Sequence, residues 1–184
     1  MREQNFGKLN IIVAIYGLKT VTDNISNLII DGNPQTLNFI VNNQVIGEDG
    51  WRGQQKSVTV LYNYDGSSEL CVAAAKEGDV LTITPDKPRQ FRFLHADTSI
   101  DDGRLSVLAA TYGPDNVTYK VKNLISSYNT LSFVADNTIF GDTWYGVPKT
   151  LVIVLGNSSE VKAVEIFTER ENCYIDLNDV IPAL

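Results

Sequence analysis

The strongest constraint on the fold is a sequence pattern that occurs twice in the chain. Residues 9–17, LNIIVAIYG, return 96 residues later as LSVLAATYG. The offset then shrinks by one or two residues at a time, to 92 where Glu77 aligns with Glu169, and the losses fall in turns. Because turns tolerate length changes and packed strands do not, this distribution indicates two copies of one folded unit. Any function of the chain therefore belongs to a duplicated surface.

The repeat also sets the domain boundaries. We predict a first β-sandwich repeat at residues 1–84, a linker that can add an edge strand at 85–104, and a second β-sandwich repeat at 105–184. The linker follows from Pro85 and Pro88, which oppose regular structure. At roughly 75 residues, each repeat is near the lower size limit for a self-sufficient core, so we expect the two to pack as a pseudo-twofold pair.

Within each copy, the hydrophobic pattern changes its period. Residues 9–15 are almost continuously apolar, which predicts a strand that is buried on both faces. Residues 21–29 then show helical spacing, with Thr22 or Asp23 as the candidate helix cap, and Thr118 in the second copy. Alternating segments and turn residues indicate further strands. About five strands and one short helix per unit predict a mainly β fold of two similar small antiparallel β-sandwich domains.

Composition and charge argue against several classes of partner. With 43% hydrophobic and 20% charged residues, the chain is typical of a globular protein. A net charge of -7 opposes binding to a phosphate backbone or to an anionic bilayer. No apolar run approaches the length of a membrane span, and the N-terminal residues do not form a secretory signal. We expect no nucleic-acid partner, no integral membrane segment, and a location in the cytoplasm or export without a classical signal peptide.

The sequence lacks the residue patterns of an enzyme or of a metal site. Its single histidine, His95, lies in the linker, and no nucleophile elbow, phosphate loop or dinucleotide fingerprint is present. Cys71 and Cys173 do not occupy corresponding positions, so we expect buried thiols rather than a disulfide framework or a zinc site. A carboxylate pair for glycoside hydrolysis can always be drawn among 22 acidic residues. We predict no catalytic activity, no cofactor and no metal.

Two glycine-flanked loops, each with an aspartate and a tryptophan, are the candidate sites. An exposed indole can stack on a sugar face while the carboxylate accepts a hydrogen bond from a hydroxyl group. The opposite interpretation is structural: the tryptophan fills the open end of a small sandwich, and the aspartate accepts from N–H groups of its own turn. The candidate ligand-binding residues are Asp49, Trp51, Asp142, Trp144 and Tyr145.

Other residues that recur near these loops are expected to support them. Lys56 and Lys149 follow the two loops, and we expect them to pair with the loop aspartates. Tyr16 and Tyr112 end the first strand of each copy, and we expect them in the core or at its corner rather than at a binding surface.

The combined pattern resembles one known family. It runs through an apolar strand, Tyr-Gly, Val-Thr, a short amphipathic helix, Thr-Leu-x-Phe, Gly-Asp-x-Trp-x-Gly, a lysine and a hydrophobic strand. This order is similar to the small β domain of unknown function at the C-terminus of mitochondrial J-domain proteins of the cristae-organising complex, which also occurs in free-standing microbial proteins. In the first copy, Leu18 replaces the proline of the pattern and Gly50 lengthens the Trp loop. The resemblance supplies no catalytic residues, and without a J-domain it implies no co-chaperone role.

Three functions are compatible with these observations. The favoured hypothesis is a non-enzymatic, lectin-like protein that binds a glycan or glycoprotein through two equivalent loop sites, with a gain from avidity. The alternative is a structural or self-assembling interaction module that forms homo-oligomers through exposed sheet edges. A toxin-like or membrane-targeting accessory is the third class, and the acidic charge argues against it.

Overall fold

A computed structural model describes residues 7–65, 70–85, 92–93, 105–156 and 164–181. The chain divides into two compact units, Met1–Leu94 and His95–Leu184, with the boundary inside the predicted linker. Both units are mainly β, as predicted. The side chain of His95 and the predicted turns at 66–67 and 157–159 lie outside the described residues. The pseudo-twofold arrangement of the units stays a prediction.

The first unit consists of two antiparallel sheets. Its elements are β1 (Leu9–Tyr16), β2 (Lys19–Thr20), α1 (Thr22–Ser26), β3 (Ile29–Ile30), β4 (Thr36–Ile40), α2 (Asn43–Ile46), β5 (Ser57–Tyr64), β6 (Leu70–Lys76), β7 (Val80–Ile83) and β8 (Arg92–Phe93). One sheet has the order β2-β1-β5-β6-β8 and the other the order β3-β4-β7. The predicted edge strand within the linker is therefore β8, which pairs with β6.

Both sheets of the first unit contribute to one hydrophobic core. On β4, Leu37 and Phe39 are buried while Asn38 and Ile40 are exposed, so this strand has one face toward the core and one toward solvent. On β1, the four consecutive residues 13–16 are all buried. Since successive side chains point to opposite faces of a sheet, the predicted burial on both faces is confirmed for residues 13–16, whereas residues 10–12 are half-buried.

The second unit follows the order of elements of the first, except that an isolated bridge between Ile125 and Leu131 takes the place of the strand β3 and that the last strand has a different partner. It comprises β9 (Leu105–Tyr112), β10 (Asp115–Asn116), α3 (Thr118–Asn123), β11 (Leu131–Val134), α4 (Asn137–Phe140), β12 (Thr150–Gly156), β13 (Val164–Arg170), β14 (Tyr174–Leu177) and β15 (Val180–Ile181). One sheet has the order β10-β9-β12-β13, and β11 pairs with β14 in the other. Side chains from both sheets again share one core.

The strand β15 is an exception within the mainly antiparallel arrangement, because it pairs with β9 in parallel. Asp179 adopts a left-handed conformation with φ 59°, which turns the chain after β14. The backbone N–H of Val180 then donates to the carbonyl of Asn129, and the Val180 side chain is buried in the core. A strand of two residues shows no periodicity, so the sequence pattern contains no signal for it.

Each described unit contains two short helices, so the prediction of one helix per unit was wrong. The additional helices are the single turns α2 and α4. The Asn42 side chain caps α2 by accepting from the backbone N–H of Val45, and the Asp136 side chain caps α4 by accepting from Thr138 and Ile139. Four residues are too few to show helical spacing, and these turns depend on their caps instead.

The predicted cap residues of the other two helices have a different role. Val21 and Val117 occupy the N-cap positions of α1 and α3. The Thr22 hydroxyl accepts from the backbone N–H of Ala14 at 3.0 Å, and the Thr118 hydroxyl accepts from Ala110 at 2.9 Å. The threonine side chains therefore bond α1 to β1 and α3 to β9. Each bond lies just after the short edge strand of its unit, β2 or β10.

We predict that Asn42→Ala lowers the free energy of unfolding by about 1 kcal/mol, because α2 loses the acceptor for its first turn. Asn42→Asp keeps an acceptor oxygen and should restore most of the loss. Gln44→Ala, at an exposed position of the same helix, is the control and should change little. Urea unfolding of the four proteins checks this, and equal stability of Asn42→Ala and Gln44→Ala would contradict it.

Candidate functional site

The two loops that contain the tryptophans connect a single-turn helix to a central strand. The first Trp loop (residues 47–55) lies between α2 and β5, and the second Trp loop (residues 141–148) lies between α4 and β12. Gly47 begins the first loop with φ 77°, a left-handed conformation that ends the helix and that glycine adopts without strain. Both loops thus start at a capped single-turn helix and end next to a central strand.

A buried lysine anchors the first Trp loop. Only 2% of the Lys56 side chain is exposed. Its Nζ lies 3.1 Å from Asp49 Oδ1 and 3.3 Å from Glu77 Oε2, and it donates to the carbonyl of Gln54 at 3.0 Å. The same Nζ lies 5.1 Å from the centroid of the Tyr16 ring. Because an unpaired buried charge is costly, the ammonium group holds the loop carboxylate and the loop backbone in place.

The second Trp loop has the same anchor. Only 1% of the Lys149 side chain is exposed, and its Nζ lies 2.6 Å from Asp142 Oδ1 and 3.7 Å from Glu171 Oε2. It also donates to the carbonyl of Val147 at 3.2 Å and lies 5.7 Å from the centroid of the Tyr112 ring. The predicted pairing of each lysine with its loop aspartate is confirmed in both units.

The alignment of Glu77 with Glu169 is wrong, because the glutamate of the second cluster is Glu171. The backbone N–H of Glu77 donates to the carbonyl of Lys56 at 2.8 Å, and Glu171 makes the same bond to Lys149. Glu171 is therefore the counterpart of Glu77, and the alignment with Glu169 is one pleat out of register. Glu169 lies on β13 and Glu171 directly after it, and a strand pattern of period two does not distinguish residues that are two positions apart. A basic residue before the glutamate and a left-handed residue after it, Gly78 or Asn172, would have identified the right one.

The two tyrosines are core residues, as expected, and their hydroxyl groups complete the clusters. Tyr16 donates to Glu77 Oε1 at 2.9 Å, and Tyr112 donates to Asn137 Oδ1 at 3.1 Å. Burial raises the pKa of Tyr16 well above its ordinary value, and the Glu77 carboxylate raises it further. Burial and the Glu171 carboxylate raise the pKa of Tyr112 in the same direction. Both phenols therefore stay protonated as hydrogen-bond donors.

The aspartate of the first Trp loop stabilises the loop itself. Asp49 Oδ1 accepts from the backbone N–H of Trp51 at 3.2 Å in addition to its pairing with Lys56. Desolvation raises the pKa of Asp49, but the hydrogen bonds from Lys56 and Trp51 outweigh it and leave that pKa below its ordinary value. This arrangement matches the structural interpretation of the aspartate, which holds the loop rather than standing free for a ligand.

The tips of the two loops differ in exposure and in chemistry. Trp51 and Trp144 are both half-buried. Tyr145, which follows Trp144, is 91% exposed, whereas the exposed residue after Trp51 is Arg52. The structure therefore brings the five predicted site residues into two loops, and it presents a fully exposed aromatic ring at the tip of only the second of these two loops.

The extra residue of the first loop makes a close backbone contact. Gly50 is buried, and a Cβ atom at this position would lie 1.7 Å from the carbonyl oxygen of Tyr16. The carbonyl of Gly50 also accepts from the backbone N–H of Leu18 at 3.1 Å. The insertion in the first copy thus seats the loop directly against the turn after β1, where a side chain has no room.

Fold and loops together define a mainly β protein with a lysine-anchored Trp loop in each unit. Comparisons of the chain with protein-family models, with curated proteins and with solved structures give no match. The similarity to the C-terminal domain of mitochondrial J-domain proteins therefore rests on the sequence pattern and stays a prediction. Within the described ranges, none of the helices has the length and apolar character needed to cross a membrane.

The tyrosine clusters predict a specific dependence of stability on alkaline pH. Folded Tyr16 stays neutral at pH values where the unfolded phenol ionises, so its contribution is full below about pH 10 and is lost as the pH rises further. Tyr16→Phe loses the bond to Glu77 and should cost about 1 kcal/mol at neutral pH. The difference in the free energy of unfolding between the native chain and Tyr16→Phe should become smaller above about pH 10.

Urea unfolding of the native chain and of Tyr16→Phe across this pH range measures the effect. Tyr112→Phe tests the second unit in the same way. A stability difference that stays constant from neutral pH to about pH 11 would contradict the prediction.

Proposed function

We propose that the protein is a non-enzymatic, lectin-like protein that binds carbohydrate at its Trp loops. The observation that carries this proposal is the exposed ring of Tyr145 on a loop that a buried lysine fixes to the sheet. A tyrosine offers a ring face to the apolar side of a sugar and a hydroxyl group to its polar edge. Because the loop is already ordered, little conformational freedom is lost on binding.

Within this proposal, the aspartates have mainly a positioning role. Asp142 Oδ1 is occupied by Lys149 at 2.6 Å, while 27% of the Asp142 side chain remains exposed. The carboxylate is thus held in a fixed orientation in the same loop as the exposed ring. The ring face and the hydroxyl group of Tyr145 then supply the stacking surface and the polar group that recognition of a sugar requires.

The charged side chains behind each Trp loop are paired with one another, which supports binding rather than catalysis. In each unit, the lysine, the loop aspartate and the glutamate that cluster behind the loop are engaged with one another. The exposed loop tips carry the groups that a ligand would meet. A binding surface in front of a structural charge cluster is the arrangement that this proposal requires.

Self-assembly is the second candidate function, because the outer faces of the smaller sheets expose paired apolar side chains. Ile40 and Val80 are register partners on β4 and β7, and both are exposed. Val134 and Tyr174 are register partners on β11 and β14, and they are exposed as well. A second copy of the chain that covered these faces would remove apolar surface from water.

A glycan array with the purified chain, read together with its light-scattering mass, distinguishes the two candidates. The native chain should give glycan signals, and Tyr145→Ala should reduce them at least about tenfold, as expected for an exposed aromatic anchor. Tyr128→Ala, which removes another exposed tyrosine of the same unit, is the matched control and should keep the signal. A native chain without glycan signal, whose mass rises with concentration, would contradict carbohydrate binding and favour self-assembly.

A further inference from the structure

We infer that the site of the second unit is a two-tyrosine site, in which Tyr119 of α3 acts together with Tyr145, and that it takes a neutral glycan. This inference rests on the proposed function and makes it specific. Tyr119 is 77% exposed and Tyr145 is 91% exposed. The repeat pattern did not single out Tyr119, because its counterpart in the first copy is not aromatic.

Two side-chain bonds place these tyrosines on neighbouring segments. Lys120 Nζ donates to the carbonyl of Phe140 at 2.7 Å and so joins α3 to the start of the second Trp loop. The Thr143 hydroxyl donates to the Asp115 carboxylate and so joins the same loop to β10. Tyr119 is adjacent to the first of these bonds, and Tyr145 lies two residues from the second. Both rings therefore project from segments that are bonded to each other.

The charged side chains of these segments carry both signs, which favours a neutral ligand. The Lys120 ammonium group donates to a backbone carbonyl and keeps its charge, the Asp115 carboxylate accepts from Thr143, and Asp142 is paired with the buried Lys149. The ring faces and phenol hydroxyl groups of the two tyrosines lie at the surface among them. These groups suit the apolar face and the hydroxyl groups of a neutral sugar, whereas a sulfated or carboxylated sugar meets the Asp115 carboxylate as well as the Lys120 ammonium group.

The first unit has the same scaffold with different side chains at the two positions. Asn24 Nδ2 donates to the carbonyl of Ile46 at 2.9 Å, where the second unit has the bond from Lys120 to Phe140. The counterparts of Tyr119 and Tyr145 are Asp23 and Arg52, both exposed. The expectation of two equivalent sites is therefore replaced by one neutral-sugar site in the second unit.

A protein partner fits this surface less well than a glycan. The buried centre of a protein–protein interface is depleted of charged residues and enriched in apolar ones. Next to the two tyrosines, α3 carries Lys120, Lys122 and Asn123, and the loop carries Thr143. Two aromatic rings within a polar surround are more suitable for a small hydroxyl-rich ligand than for a large apolar contact.

An array of neutral, sialylated and sulfated glycans tests the inference with single-site variants. The native chain should bind neutral glycans, and Tyr119→Ala should reduce the signal at least about tenfold, whereas Tyr119→Phe should keep most of it because the ring face remains. Asp23→Ala, at the position of the first unit that corresponds to Tyr119, is the matched control and should leave the signal unchanged. Circular dichroism and thermal unfolding check that each variant folds.

The outcomes separate the inference from the proposed function. Glycan binding that Tyr119→Ala leaves intact, or binding restricted to acidic glycans and lost in Arg52→Ala, would overturn the two-tyrosine site while carbohydrate binding stands. Absence of signal from the native chain on all glycans would overturn both. A changed light-scattering mass in Tyr119→Ala with an unchanged glycan signal would assign this tyrosine to a protein contact and also overturn the inference.

Discussion

A buried ammonium group behind each Trp loop is the interaction on which the rest of the structure depends. Lys56 lies directly before the central strand β5, and Lys149 directly before β12. Both side chains are buried. A charge in this position is tolerated only when it is paired. In each unit the carboxylates come from two other places, the Trp loop and the turn after the next strand. One lysine thus fixes three segments of backbone relative to one another.

This anchor separates the support of the loop from its recognition surface. The lysine, the aspartate and the glutamate occur in both units, and the tyrosine ring packs beside the lysine in both. Arg52 and Tyr145, at the tips of the loops, do not take part in the charge clusters. A substitution at either position therefore leaves the anchor of the loop intact. Duplication of such a unit allows one copy to change its binding chemistry while its scaffold stays the same. The proposed neutral-sugar site in the second unit is an instance of that freedom.

The sequence predicts the parts of the structure that repeat or that extend over several residues. The strand buried on both faces, the helical spacing after it and the pairing of Lys56 with Asp49 all follow from patterns within one copy or between the copies. Glu77 was aligned with Glu169 instead of Glu171 because a strand pattern has a period of two and still matches after a shift of two residues. The flanking residues, a basic residue before the glutamate and Gly78 or Asn172 after it, distinguish the two. The single-turn helices α2 and α4 and the strand β15 are too short for any period to appear. Tyr119 was missed because a repeat comparison highlights what the copies share, and this residue differs between them.

Amide hydrogen exchange of the two Trp loops in Lys56→Met tests the anchoring role most directly, because the second unit serves as a control in the same molecule. Methionine fills the space of the lysine side chain as far as Cε and lacks the ammonium group, so Asp49 and the carbonyl of Gln54 lose their donor. The first Trp loop (residues 47–55) should then exchange at least about tenfold faster, which corresponds to the loss of about 1.4 kcal/mol of local stability. The second Trp loop (residues 141–148) should keep its native rate. Unchanged exchange in the first loop, or equal acceleration in both, would contradict the account.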